Sequence, residues 1–246
     1  MKTKYLLIGV FTWVSVTLQA QEFGFGLRGG INTYSIGEII TVGSNGPNGP
    51  EAGLVFDPVK DVGYQFGGYF VAQFGKFYLR PELNYMSFEN HYDFPDKQSR
   101  WSRSKIDFPI LLGYDILEPV SIYAGPDFGF FSDATIEGVQ GTSFTTGNVG
   151  PDLEKTSVNL ALGVIFRFKS IGIDLRYELG LAETAEERED FIRSEYGVNL
   201  ADLKAYNPNI FSLSVFIDVF RTDSGDIGNF FSGLFKNNSC YCPYNK

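Results

Sequence analysis

The sequence predicts an all-β protein, an eight-stranded antiparallel up-and-down transmembrane β-barrel. Three observations lead to this fold class. Eight stretches alternate apolar and polar residues with a period of two, the spacing of side chains on the two faces of a strand. The connections between these stretches are alternately long and short, as in outer-membrane barrels. Phe (24), Tyr (14) and Gly (28) are abundant and charged residues make up only 20% of the chain, a composition that favours strands over helices.

The stretch 171–181 shows the alternation most clearly. Its odd-numbered positions are all apolar, whereas its even-numbered positions hold glycine or a charged residue. In a soluble barrel the apolar face of such a strand would cover a core and the charged face would meet water. In a membrane barrel the apolar face would meet lipid and the charged face would line the lumen. This stretch alone leaves both alternatives open.

The remaining predicted strands follow the same pattern. In chain order, the eight span 22–34, 61–74, 77–88, 103–114, 120–131, 156–168, 171–181 and 209–220. The connections at 35–60, 89–102, 132–155 and 182–208 are long, and those at 75–76, 115–119 and 169–170 are short. Within the longest connection, the highly charged segment 183–206 is predicted as the one helix.

Strand length and aromatic placement favour the membrane alternative. About eleven residues at ~3.3 Å each, tilted by ~45°, span about 25 Å, the height of a lipid-facing band. Aromatic residues mark both strand ends, as interfacial girdles would: Phe23, Phe74, Phe77, Tyr114, Phe168 and Phe220 at the short-turn ends, and Tyr34, Tyr64, Tyr85 and Phe130 toward the other ends. A lipocalin-like soluble barrel remains the alternative, but it does not explain the many glycines on the polar face. A crowded lumen does.

The N-terminus predicts export. Residues 1–4 are basic, residues 5–17 are apolar, and Ala20 precedes a predicted signal-peptide cleavage at Gln21, with an uncleaved anchor helix as the alternative. Beyond residue 20 no apolar run approaches the roughly 18 residues of a membrane-spanning helix. We therefore expect a signal peptide at 1–20, a barrel at 21–220 in a Gram-negative outer membrane, and a periplasmic tail at 221–246.

Composition restricts the partners and cofactors. The net charge of -9 argues against nucleic acid. We expect contact with outer-membrane lipid and lipopolysaccharide, and envelope or secretion proteins are candidate protein partners. No cofactor is predicted. Cys240 and Cys242 are too close for an unstrained disulfide, and with a single histidine the chain has no zinc-ligand spacing, so no metal site is predicted either.

The polar strand faces carry charged residues that a barrel would gather in its lumen. Because an eight-stranded barrel is only wide enough for side chains and buried charges must pair, we expect a salt-bridge network that closes the lumen. An ion path or gate is the alternative. In particular, Arg80, Glu82, Arg176 and Glu178 are predicted to lie within ion-pair reach of one another. The full set is Arg28, Arg80, Glu82, Lys105, Asp107, Asp127, Arg167, Asp174, Arg176, Glu178 and Asp218.

Two features of the connections bear on activity and binding. His91 lies near Asp93, but no nucleophile motif accompanies it, so we predict a surface histidine and a protein without enzymatic activity. The acidic residues between 183 and 195 could bridge divalent cations to lipopolysaccharide or a partner, or could form a solvated face.

In the tail, Ile227, Phe230, Phe231 and Leu234 follow the i, i+3, i+4, i+7 spacing of one helix face. Such a segment could lie on the inner leaflet, plug the barrel mouth or dock a periplasmic partner.

Several short motifs, FGLRGGIN at 25–32, LRPELNY at 79–85, IDFPILL at 106–112, YAGP at 123–126 and DLRY at 174–177, occur in a fixed order. Together with Gly180-Leu181 they resemble the small PorT-type outer-membrane β-barrel family of Bacteroidetes-like bacteria, over roughly residues 22–220. The resemblance implies an eight-stranded, OmpA-like barrel, and one member of the family is associated with protein secretion. Family barrels commonly stop at a terminal aromatic residue, whereas here 26 residues follow Phe220.

The sequence thus predicts a structural or partner-binding protein of the cell envelope, with an accessory role in protein secretion as a candidate. A narrow channel for ions or small solutes is the alternative. A membrane-embedded lipid hydrolase or acyltransferase is a third and weaker possibility, because catalytic residues are missing.

Overall fold

A computed structural model describes residues 22–42, 52–140 and 150–222. The predicted signal peptide, the tail residues Ile227, Phe230, Phe231 and Leu234, and both cysteines lie outside the described residues. The elements in chain order are β1 (Glu22–Tyr34), β2 (Ile39–Thr41), β3 (Val55–Phe56), β4 (Pro58–Lys60), β5 (Gly63–Phe74), β6 (Phe77–Asp93), β7 (Gln98–Leu117), β8 (Val120–Phe131), β9 (Thr135–Ile136), β10 (Thr156–Phe168), β11 (Ile171–Gly180), β12 (Glu187–Asp190), α1 (Arg193–Tyr196), β13 (Leu200–Leu203) and β14 (Ile210–Arg221).

Eight long strands close into a barrel. Their order is β1–β5–β6–β7–β8–β10–β11–β14, and β14 pairs with β1 to complete the ring. Every neighbouring pair in the ring is antiparallel. The predicted eight-stranded antiparallel up-and-down barrel is therefore confirmed, and β1, β8 and β10 have the predicted bounds.

The two ends of the barrel differ. Two-residue connections join β5 to β6, β7 to β8, and β10 to β11, and β1 begins and β14 ends on the same side. Gly75, in the first of these turns, has a φ of 64°, a left-handed conformation that glycine adopts without strain. We call this side the short-turn end and the opposite side the long-loop end.

An apolar belt surrounds the outside of the ring. Every barrel strand contributes large apolar side chains to this belt at most of its outward positions; Leu83 on β6, for example, is 59% exposed. Phe77 and Phe168 are exposed at the short-turn end, and Tyr64 and Phe130 at the other. Tyr34 was expected in the second girdle, but this is wrong. It is only 1% exposed because it faces inward and packs on Phe88 and Trp101.

At the long-loop end, a folded cap replaces the predicted loops. The segment 89–102, expected as a loop, continues β6 and β7 as one hairpin, with β4 pairing alongside β6 and β9 alongside β7. A second sheet, β12–β13–β2–β3, forms from the first and fourth long connections. We call this assembly the cap. It has its own apolar core, in which Ile39, Phe88, Trp101, Phe191 and Leu203 are fully buried.

The predicted helix at 183–206 is wrong. The segment contains β12 and β13, and its one helix, α1, has only four residues. Phe191, Ala201 and Leu203 are buried in the cap core, so tertiary packing overrides the helix propensity of the glutamates around them. In the described part of the chain, no helix has the length and apolar character needed to cross a membrane.

Candidate functional site

Four aromatic side chains fill the lumen near the short-turn end. Each lies directly across from a glycine on the neighbouring strand, and the pairs are Tyr69–Gly26, Tyr78–Gly113, Tyr123–Gly163 and Phe216–Gly172. A Cβ atom at Gly163 would lie 2.2 Å from the Tyr123 hydroxyl oxygen, so that side chain fits only over a residue with no side chain. We call these four aromatic residues the aromatic plug. Together with Val71, Leu111, Ala161 and Ile165 they form one buried cluster.

Arg80 packs against the aromatic plug on the side that faces the middle of the lumen. Its guanidinium carbon lies 4.0 Å from the ring centroid of Tyr69 and 5.0 Å from that of Phe216. Its Nε lies 2.9 Å from Glu82 Oε1. A cation stacked on two aromatic faces is stabilised by the ring quadrupoles, particularly where water is excluded. Arg80 therefore joins the apolar plug to the charged layer above it.

The middle of the lumen contains a network of ion pairs centred on Glu82. Arg28 and Arg176 both donate to Glu82, Arg176 through Nη2 at 2.8 and 2.9 Å. Both arginines also approach Asp174, at 3.3 and 3.2 Å. All five charged residues, Arg80 included, are buried, so each depends on its partners to replace the water that it loses. Arg28 and Arg176 are hydrogen-bonded within the network, whereas Arg80 contributes an ion pair and ring contacts without a hydrogen bond among the described residues. We call these five residues the central network.

Tyr123 links the central network to the aromatic plug. Its hydroxyl donates to Asp174 Oδ1 at 2.6 Å and accepts from Arg176 Nε at 2.9 Å. The tyrosine therefore has a ring in one layer and a hydrogen-bonded hydroxyl in the next.

A second charged group lies above the central network, toward the long-loop end. Lys105 donates to Asp127 and to Glu178, the latter at 2.8 Å. Asp107 completes the group, and one carboxylate oxygen from each acid lies within 4.8 Å of the others. Three such carboxylates could hold a metal ion in principle. Here the Lys105 ammonium already supplies a positive charge among them, so we interpret the group as an ion-pair cluster, named the lysine cluster.

The structure groups the predicted lumen charges differently from the expectation in two respects. It brings Arg80, Glu82 and Arg176 together, whereas Glu178 pairs with Lys105 instead. Arg167 and Asp218 form a separate pair, 3.3 Å apart, at the short-turn mouth. Sequence reasoning also missed Arg103 as a lumen residue, although it lies two positions before Lys105 and so shares its face.

The cap closes the lumen at the long-loop end. Tyr34 stacks on Phe88 and Trp101, with ring centroids 4.6 and 5.3 Å apart. Arg103 lies 4.2 Å above the ring of Phe131, and its guanidinium donates to the backbone carbonyls of Ser132 (3.0 Å) and Glu154 (2.7 Å). The lumen is thus occupied along its length by the aromatic plug, the central network, the lysine cluster and the cap core.

The acidic residues of the fourth long connection are dispersed over the cap. Glu186 pairs with Lys204 at 2.7 Å, and Arg188 pairs with Asp202 at 2.7 Å. Glu189 points into the cap and is only 7% exposed. Burial, and secondarily the nearby charge of Glu187, raises the pKa of the Glu189 carboxyl to about 7.

His91 lies on the outer surface of the extended β6–β7 hairpin. Its Nδ1 lies 2.8 Å from Asp61 Oδ2, and Asp93 is more distant at 3.8 Å. The cleft beside His91 is lined, among the described residues, by no serine, threonine or cysteine. Within the described lining of this cleft, the histidine therefore has an orienting carboxylate but no nucleophile for acyl transfer.

Comparison with known proteins gives structural likenesses only. No family model and no curated protein matches the chain. The outer membrane protein OprG of Pseudomonas aeruginosa superposes with a TM-score of 0.46 and 16% identity, over 81% of this chain and 96% of that one. Neisserial surface protein A gives 0.40 and 14%, over 80% and 96%. Ail of Yersinia pestis, in complex with the heparin analogue sucrose octasulfate, gives 0.44 and 11%, over 81% and 99%. The closed ring of paired strands, and not these likenesses, establishes the barrel.

Proposed function

We propose that this protein is a closed, non-conducting outer-membrane β-barrel without enzymatic activity, and that its cap presents a structural or partner-binding surface at the cell envelope. The observation that carries this proposal is the filled lumen. A channel needs a continuous polar path, whereas here aromatic rings over glycines, paired charges and an apolar cap core follow one another along the axis.

The membrane location is supported by the apolar belt. A closed ring with apolar residues outward and charges inward satisfies every backbone group without water and exposes hydrocarbon to lipid. With the usual orientation of such barrels, the short-turn end faces the periplasm and the cap faces outward. The predicted signal peptide and the PorT-type resemblance of the strand motifs agree with this location, and the resemblance keeps an accessory role in secretion as the candidate process.

Planar-bilayer recording of the purified, refolded protein tests closure. We expect no current steps above those of the empty bilayer, with a general porin in the same bilayer as the positive control. Steps in the nanosiemens range would show an open lumen and overturn the proposal in favour of the channel alternative.

A lipid-turnover assay tests the absence of enzymatic activity. Wild-type protein and the His91→Ala variant are expected to leave phospholipid and lipopolysaccharide acyl chains intact alike. Turnover by the wild type that His91→Ala abolishes would show that His91 is catalytic.

A further inference from the structure

The outer wall changes character just above the apolar belt. The last apolar pair facing outward on β6 and β7 is Tyr85 and Ile106, and the next outward pair is Ser87 and Ser104. Higher still, the outward pairs are Glu89 with Ser102 and His91 with Arg100. At ~3.3 Å per residue and a tilt of ~45°, the level from Glu89 to His91 lies about 9–14 Å above Tyr85. This is the depth of the headgroups of the outer leaflet rather than of its hydrocarbon.

A cleft of about 700 Å³ lies at this level, lined by residues of the β6–β7 hairpin, by Asp61 and Val62 just before β5, and by Glu137. We call it the outer cleft. Among its described lining residues the one apolar side chain is Val62, which is 62% exposed and lies two positions before the belt residue Tyr64. An amphiphile held here would therefore have an apolar surface below its headgroup and a polar cleft around it.

The charged groups of the outer cleft are only partly paired with one another. The Asp61 carboxylate contacts the His91 ring, and Lys97 Nζ lies 3.7 Å from Glu195 Oε2. Arg100, Glu89 and Glu137 make no ion pair within the described part of the chain, although all three line the cleft. A guanidinium presents a planar fork that fits a phosphate, and carboxylates accept hydrogen bonds from sugar hydroxyls.

We propose that the outer cleft binds the phosphorylated sugar headgroup of an outer-leaflet glycolipid, with Arg100 on the phosphate and Glu89 and Glu137 on sugar hydroxyls. The acyl chains of the same lipid lie on the belt below Val62. This inference rests on the proposed membrane location, because the lipid reaches the cleft only if the belt lies in a bilayer.

The test is a binding measurement on refolded protein in phospholipid nanodiscs, with fluorescent diphosphoryl lipid A as the probe. Dephosphorylated lipid A and glucosamine-6-phosphate serve as competitors. We expect diphosphoryl lipid A to bind at least about tenfold more tightly than the dephosphorylated form, since charge-assisted hydrogen bonds to phosphate are lost in the latter. Arg100→Gln should weaken the binding by about tenfold. Arg188→Gln, an exposed arginine on the second sheet of the cap, is the matched control and should bind like the wild type.

Three outcomes would overturn the proposal. Arg100→Gln could bind as the wild type does, or Arg188→Gln could lose as much affinity as Arg100→Gln, so that net charge alone explains the binding. Glucosamine-6-phosphate could compete as well as the lipid, which would make the ligand a soluble sugar phosphate. Failure of the proposed membrane location would look different, because the barrel would then not insert into nanodiscs at all.

Discussion

Glu82 accepts from Arg28 and Arg176 and forms an ion pair with Arg80, so its replacement by glutamine leaves three buried guanidinium groups short of a negative charge. Arg28 and Arg176 retain Asp174, but Glu82 is the one carboxylate paired with Arg80 in the described part of the chain. Removing one partner of a buried ion pair typically costs 3–5 kcal/mol, so we expect Glu82→Gln to lower the free energy of unfolding by about 4 kcal/mol.

Urea unfolding in phospholipid vesicles measures this cost, with Trp101 as the fluorescent reporter in the cap core. Asp133→Asn is the control, because Asp133 forms an exposed pair with Lys155, and such pairs contribute about 0–1 kcal/mol. The double variant Glu82→Gln/Arg80→Met should recover part of the loss, since it removes the stranded cation. A cost for Glu82→Gln below about 1 kcal/mol would refute the inference that the central network holds the barrel together.

Two further predictions concern the aromatic plug and the cap. Gly163→Val should lower the free energy of unfolding of the barrel by at least about 2 kcal/mol in the same assay. The new side chain displaces the Tyr123 ring and breaks the hydrogen bond from the Tyr123 hydroxyl to Asp174. An unchanged free energy would mean that the plug is loosely packed. For Glu189, whose pKa is about 7 in the folded cap against 4.5 ordinarily, stability should fall as the pH rises from about 4.5 to 7 and then level off. Glu189→Gln should remove this dependence and stabilise the cap by about 2 kcal/mol at pH 8, allowing for residual solvent screening. Hydrogen exchange of β12 at several pH values measures it, and an unchanged profile in the variant would contradict the assignment.

Alternation predicted the barrel strands well because a strand between lipid and lumen has two unlike environments. In the proposed membrane location, β1, β8 and β10 lie between these two environments except at end residues such as Tyr34 and Phe131, which reach the cap core, and their bounds follow from the sequence alone. The upper parts of β6 and β7 are different, since one face meets water and the other meets the cap, which contains polar residues such as Asn90 and Ser99. Both faces are then partly polar, and the pattern that marks a barrel strand disappears.

The lumen charges could be assigned to the inward face from the sequence, but their partners could be predicted only in part. Glu82 does pair with Arg80 and Arg176 as predicted, whereas Glu178, expected with them, pairs with Lys105. Glu82 and Arg176 are 94 residues apart, and they meet only because the ring closes across β6 and β11. The sequence predicted that the glycines of the polar face make room for crowded side chains in the lumen, but not which side chain occupies the space at each glycine. Which aromatic covers which glycine depends on strand register, which the sequence pattern does not specify at this precision.

The central claim is that the apolar face of every barrel strand lies against lipid, and Leu83→Arg tests it most directly. Leu83 lies within the belt on β6, two residues from the midpoint of the belt at Pro81, and is 59% exposed on the outside of the ring. If the belt lies in a bilayer, an arginine at this position, about 5 Å from the middle of the belt, should lower the free energy of unfolding in vesicles by about 2 kcal/mol. A change within about 0.5 kcal/mol, or a variant that is stable in water without lipid or detergent, would contradict the membrane location and favour the water-soluble barrel.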